Sequence, residues 1–353
     1  MAGTVFYASK DAMASRFGRP YGLGGETLAE FPAWKERLRR RLAEITGMDT
    51  PRPCPPNPRL VETERRDGYE RRLMLIDTEP GVTMPFYALV PDKATGKAKA
   101  GVFLAFHGHC GGGKAAVAGV AGDARVEQAI DGFNYAYAER LARRGLVVLA
   151  PDARGFGQRR EASLQGDACV TVSSCAELNA LAVSLGQSVI GLWTWDNRRL
   201  IDYAETMEEA DPSRIGCGGL SGGGMQALWC AAMDDRIRCA AVSGYFYGYR
   251  NALFDMLCCP CNYAPGLFRT ADMGDLAALV APRPLFVETG SGDSLNGSQG
   301  LANVESQTEI ARRAYALHGR EDRFVHEVFE GGHRWHGVGS EPWIAERLGG
   351  ARA

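Results

Sequence analysis

Residues 215–229 read IGCGGLSGGGMQALW. An apolar run from Ile215 to Leu220 ends in Gly219-Leu220-Ser221-Gly222-Gly223, and a helix-forming run follows to Met233. A serine between glycines, at the junction of a buried strand and a helix, is the G-x-S-x-G elbow in the context it requires. The serine takes a strained backbone conformation at the tip of a sharp turn, and glycines two before and two after let strand and helix approach without a Cβ clash. The hydroxyl of Ser221 is then presented above the sheet. The N–H of Gly222, at the helix start, points where negative charge would develop on an attacked carbonyl.

The flanking sequence supplies the sheet. Short apolar strands are expected at Val102–Phe106, Leu146–Ala150, Ile215–Leu220, Cys239–Ser243, Leu285–Thr289 and Phe324–Phe329. Helical patterns separate them at Phe133–Arg143, Trp195–Met207, Gly223–Met233, Asp272–Val280 and Val304–Leu317. That alternation predicts an α/β fold, a mostly parallel sheet covered by helices on both faces, with its site at the carboxyl ends of the strands. Upstream, Arg71–Asp77 and Thr83–Val90 read as an antiparallel hairpin around Pro80-Gly81. Residues 1–60 read as an N-terminal helical extension with a Pro-rich connector, the helix running Leu28–Ile45 and stopping at Gly47. It is either a helix packed on the main domain or an arm for oligomer contacts. Residues 61–353 form the catalytic domain, and 155–190 read as a cap insertion or a surface excursion.

In this arrangement the base and its acid follow the nucleophile in chain order Ser, acid, His. His333 sits in Glu330-Gly331-Gly332-His333, directly after the last strand, with His336 as its competitor. Asp293 closes Gly290-Ser291-Gly292-Asp293 after the preceding strand. Glu288 lies within that strand, and Asp272 and Asp275 look like helix-start residues. Asp293 would fix the His333 tautomer and stabilise the imidazolium. After Val102–Phe106 comes HGHCGGGK at 107–114; its loop is expected to donate the second oxyanion N–H, from the main chain of His109 or its neighbours Gly108 or Cys110. His107 is expected to hold the loop by hydrogen bonds.

The same loop nearly matches a phosphate-binding P-loop, G-x-x-x-x-G-K at 108–114, which makes a nucleotide-binding protein the rival from another class. A P-loop needs Ser or Thr next, to ligate Mg²⁺; Ala115 stands there.

With 45% hydrophobic and 23% charged residues a sizeable core can form. The net charge of -2, from 40 basic and 42 acidic residues, points to neither nucleic acid nor an anionic membrane as partner. The N-terminus shows no signal-peptide pattern, and no run approaches the roughly 20 apolar residues that span a bilayer; a cytoplasmic location is expected, with a homo-oligomer left open. The ten cysteines read as reduced filler, Cys217, Cys230 and Cys239 among them. Cys258, Cys259 and Cys261 are the one cluster. A zinc site would need a second, spaced pair, and the sequence shows none. No metal and no organic cofactor are expected.

The chain resembles the α/β-hydrolase superfamily, and within it the acetyl xylan esterase-like and dienelactone hydrolase-like branch. The resemblance covers roughly Arg71 to Leu348, through HGHCGGGK at 107–114, PDARGFGQR at 151–159, DPSRIGCGGLSGGG at 211–224, DLAALVAPRPLFVETGSGD at 275–293 and FEGGHRWHG at 329–337. It implies catalysis by Ser221, Asp293 and His333, with oxyanion N–H groups from Gly222 and His109. The chain departs from the acetyl xylan esterase pattern at Gly222, where that family usually has Gln, at Arg334 after the histidine, and at Arg154-Gly155-Phe156-Gly157. These departures bear on deacetylase specificity and hexameric assembly. Ser221 stands where dienelactone hydrolases usually have Cys, and the short region before the core leaves no room for the propeller of prolyl oligopeptidase-like peptidases. The expected activity is serine carboxylic-ester hydrolysis through an acyl-enzyme, on short-chain, acetyl-type esters of carbohydrates or small aromatic alcohols. Trp335, His336, Tyr245 and Tyr247 are expected to contact that substrate.

Overall fold

The computed structural model describes residues 9–94, 98–109, 111–164, 166 and 170–351. Nine strands form one sheet: β1 Arg59–Arg66, β2 Tyr69–Glu79, β3 Val82–Pro91, β4 Ala100–Phe106, β5 Val147–Pro151, β6 Ala210–Leu220, β7 Ile237–Ser243, β8 Leu285–Gly290 and β9 Phe324–Phe329. Their order is β1-β2-β3-β5-β4-β6-β7-β8-β9. The pairs from β5 through β9 are parallel, and β1, β2 and β3 add an antiparallel flank that joins at β3–β5. The helices are α1 Ser9–Ala14, α2 Phe31–Thr46, α3 Lys114–Val117, α4 Ala124–Phe133, α5 Tyr137–Arg143, α6 Cys175–Ser184, α7 Val189–Ala204, α8 Gly222–Met233, α9 Met273–Val280, α10 Leu301–Leu317 and α11 Ser340–Leu348.

Alternation along the central strands divides the core in two. Val102, Leu104 and Phe106 of β4 face the layer built by α2 and α7 to α10, whereas Phe103 and Ala105 face the layer of α3, α4, α5 and α11. Both faces are covered, so β4 and β5 are apolar along their whole length. Helix α2 seals the first layer with Phe31, Trp34, Leu38, Leu42 and Ile45, all buried. It ends at Gly47, whose φ of 61° supplies the left-handed stop.

Three expectations need correction. The helix read at Phe133–Arg143 is two helices: Asn134 (φ 53°) and Ala136 (φ 58°) are left-handed, so α4 ends at Phe133 and α5 starts at Tyr137. Strand β1 begins at Arg59, so a boundary at residue 60 cuts into the sheet. The hairpin of β2 and β3 is not at the sheet edge, because β1 lies outside it. No single helix among the described residues is long and apolar enough to cross a membrane.

Candidate active site

Strand β6 runs into Ser221, and α8 leaves from Gly222. Ser221 has φ 60° and ψ -120°. A residue with a Cβ pays of order 1–3 kcal/mol for such a conformation, so the surrounding structure must over-determine it. Here it does. The Ser221 N–H donates to Ser243 O at 2.8 Å, tying the turn to the end of β7. A Cβ on Gly219 or Gly223 would run into the carbonyl oxygen of Phe106, at the end of β4. The two outer glycines of the motif are thus required by the packing of the elbow onto β4. The Ser221 hydroxyl makes no hydrogen bond to a described residue.

The next two strands carry the other groups. Asp293 is buried in the turn after β8; its Oδ2 lies 2.7 Å from His333 Nδ1, and its Oδ1 accepts the Leu295 N–H at 2.9 Å. His333 is in the loop after β9 and is partly exposed. Its ring leans on Gly244, the residue after β7, where a Cβ would stand 2.9 Å from Cε1 and 3.0 Å from Nδ1. Ser243 thus holds the Ser221 backbone while its neighbour Gly244 seats the imidazole. The Ser–His hydrogen bond itself is not formed here; such bonds often tighten only with substrate bound.

Glu288, the competing acid, has another task. It is buried in β8 and accepts from the His336 N–H at 3.1 Å, the Gly337 N–H at 2.9 Å and the Ser340 hydroxyl. Burial pushes its pKa up against these bonds. Glu288 therefore anchors the chain just after His333. The sequence placed it in a strand without showing what it would meet there.

The loop after β4 is held from several sides. The Ala153 N–H donates to His107 Nε2 at 3.0 Å, which leaves the His107 proton on Nδ1, 2.9 Å from Gly108 O. Burial lowers the pKa of this imidazole, so it stays neutral. The Gly108 N–H donates to Tyr135 Oη at 3.1 Å, and the Tyr137 hydroxyl donates to Phe106 O. His109 lies beside the elbow: its Nδ1 is 2.8 Å from where a Cβ of Gly222 would stand. The N–H groups of Gly222 and His109 donate to no described acceptor. Lys114, the P-loop-like lysine, is buried; Nζ pairs with Asp152 at 2.7 Å and donates to Gln158 at 2.7 Å, while the Lys114 N–H donates to Asp152 Oδ1. Its charge is spent inside the fold.

A cavity of about 320 Å³ opens at Ser221 and Gly222, walled by His109, Tyr245, Tyr247, Cys259 and Leu295 among others. Of the expected substrate contacts, Tyr245 and Tyr247 line it. Trp335 is a correction: it is fully buried, stacked on Tyr137 at 4.4 Å, and donates to Glu341 at 3.0 Å. His336 is a second correction. It stacks on Phe329 at 4.3 Å, with Nε2 3.8 Å from Glu327, outside the cavity wall.

The reading of the cysteine cluster also needs correction. Cys175 starts α6, and its Sγ lies 2.8 Å from Cys259 Sγ; His109 Nε2 lies 3.2 Å from Cys261 Sγ. The second pair of donors exists, brought in from distant parts of the chain. Burial opposes protonation of His109, yet hydrogen bonding with Cys175 and Cys259 pushes its pKa up to about 9. Hydrogen bonds from Cys175 and Cys261 hold the Cys259 thiol well below its usual range.

A sequence model of the Abhydrolase family matches residues 24–248. The Bacillus subtilis (strain 168) protein named "Putative hydrolase YtaP" is 26% identical over 291 residues, 76% of this chain and 85% of that protein. Among solved structures, a "putative acetyl xylan esterase" from Bacteroides fragilis superposes with a TM-score of 0.75 at 19% identity, covering 93% of this chain and 84% of the other. A glucuronoyl esterase from Solibacter usitatus superposes with a TM-score of 0.67 at 18% identity, covering 99% and 100%. At these identities the structural likeness establishes the fold, that of the α/β-hydrolases.

Proposed function

We propose that this chain, which belongs to the Abhydrolase family, is a serine carboxylic-ester hydrolase that works through an acyl-enzyme. The observation that carries the reading is the strained Ser221, at φ 60°, whose turn is bonded to Ser243 while the adjacent Gly244 seats the Asp293-bonded His333. Strain of this kind is kept where a side chain must be presented.

In the first step the Ser221 Oγ attacks the ester carbonyl, and His333 takes its proton through Nε2, since Nδ1 faces Asp293. The N–H groups of Gly222 and His109 receive the oxyanion; each such donor is worth about 3–4 kcal/mol of transition-state stabilisation. His333 then protonates the leaving alcohol. In the second step it activates water, which releases the acid and restores Ser221.

The cavity supports a small acyl group. Its volume of about 320 Å³ lies at the low end of ligand pockets, and the Tyr245 and Tyr247 rings are fixed by burial. The reading is therefore a short-chain ester, acetyl before butyryl, of a carbohydrate or a small aromatic alcohol. Nitrophenyl acetate and butyrate test it directly. Wild type is expected to hydrolyse the acetate faster, and Ser221→Ala neither; inactivity of pure wild type on both esters would overturn the proposal.

A further inference from the structure

We propose that His109, Cys175, Cys259 and Cys261 bind one Zn²⁺ in a closed, four-ligand site beside the nucleophile. Three segments far apart in the chain deliver one donor set: the loop after β4, the start of α6, and the turn Pro260–Asn262 with Cys259, the residue that leads into it. The three sulfurs and His109 Nε2 all lie within 4.8 Å of one another. Cys175 Sγ is 3.8 Å from His109 Nε2, and Cys261 Sγ is 3.2 Å from it. A tetrahedral Zn²⁺, with bonds of about 2.3 Å to sulfur and 2.0–2.1 Å to nitrogen, sets its donors roughly 3.5–3.8 Å apart; the His109 contacts are within a few tenths of an ångström of that, and the Cys175–Cys259 pair, at 2.8 Å, opens by about 1 Å through side-chain rotation to seat the ion. Three thiolates and one imidazole are the ligand chemistry of structural zinc and ill suited to Mg²⁺ or Ca²⁺.

The surroundings fit the purpose. Cys175 and Cys261 are buried, and the His109 ring is braced edge-on by Phe156 at 5.1 Å. Hydrogen-bond donors face the sulfurs: Ser173 Oγ is 3.2 Å from Cys175 Sγ, and Asn262 Nδ2 is 3.7 Å from Cys261 Sγ. Binding forms three Zn–S bonds and one Zn–N bond, releases to solvent whatever protons the three sulfurs and His109 Nε2 carry, and changes no oxidation state. Four protein ligands leave no open position, so the ion acts on structure. It would pin α6 to the cavity wall. It would also fix the His109 tautomer, with the proton on Nδ1, the atom that faces Gly222.

The test is metal analysis of the full-length protein, purified without chelator, in wild type, Ser221→Ala, Cys175→Ser and Cys259→Ser. One zinc per chain is expected in the first two, and at least a tenfold loss in the cysteine variants. Ser221→Ala separates this claim from the esterase reading, since the site stands whether or not the serine is a nucleophile. Should the cysteine variants fold poorly, Co²⁺ exchanged into wild type serves instead, with thiolate-to-cobalt charge transfer and intense tetrahedral d–d bands expected. Absence of both zinc and a cobalt–thiolate spectrum in wild type would overturn the proposal. So would full zinc retention by Cys175→Ser and Cys259→Ser, or a Cys175–Cys259 disulfide in non-reduced peptide maps.

Discussion

Gly244 and His333 share one volume: a Cβ at position 244 would stand 3.0 Å from His333 Nδ1. At that distance the imidazole must give way, and Gly244 also has φ 57°, which disfavours any side chain. Gly244→Ala is therefore expected to shift the ring away from Ser221. Misplacement of a reacting group by about 1 Å can cost on the order of 100-fold. The expected result is a kcat lowered about 100-fold with KM little changed, by steady-state kinetics on nitrophenyl acetate, and a fold that circular dichroism cannot distinguish from wild type.

Asp293→Asn keeps the shape of the side chain but removes the charge facing His333 Nδ1. The amide can present its NH₂ to the ring and favour the wrong tautomer. A loss of about 10⁴-fold in kcat is expected. Glu288→Gln, one of the acids the sequence left open, should cost far less activity and show chiefly as a lower Tm, because Glu288 binds the loop backbone and not the imidazole.

Lys114→Met tests the nucleotide-binding alternative by stability. The lysine and Asp152 are both buried and bonded to each other at 2.7 Å. Removing one partner leaves a buried charge, at a cost of ~3–5 kcal/mol. Urea unfolding should report that loss. Wild type should show no thermal shift with ATP or GTP.

Stability should also depend on pH through His326. Burial, with a smaller push from Arg312, lowers its pKa to about 4 in the folded chain. The unfolded chain binds this proton near the ordinary value of 6.5. The folded state is thus fully favoured above pH 6.5, loses stability as pH falls from 6.5 to 4, and levels off below that. Asp272, pushed up to about 6 by burial, slopes the opposite way, so the readout is the difference between wild type and His326→Gln. That difference in unfolding free energy, wild type minus variant, should fall as pH is lowered from 6.5 to 4 and stay level outside that window.

The elbow could be read from sequence because its chemistry is local. Two glycines must flank the serine wherever a strand turns this sharply into a helix, and the loops after β8 and β9 follow apolar runs that are plain in the chain. Strand β1 was hidden by its exposure: RLVETERR has almost no buried position, so no alternation marks it. The break at Asn134 to Ala136 was hidden because neither residue is Gly or Pro. The Cys175 contacts were hidden by distance. Cys175 stands 66 residues from His109 and 84 from Cys259, and only the sheet order brings them together. Trp335 was misassigned for the related reason that a ring beside a catalytic loop can point either way, and here it points into the core.

The claim that Ser221 is the nucleophile is tested most directly by fluorophosphonate labelling, followed by intact mass and peptide mapping. One adduct per chain is predicted, on the peptide containing Ser221, lost in Ser221→Ala and slowed at least 100-fold in His333→Ala. An unlabelled wild type, or an adduct on any other residue, would contradict the account.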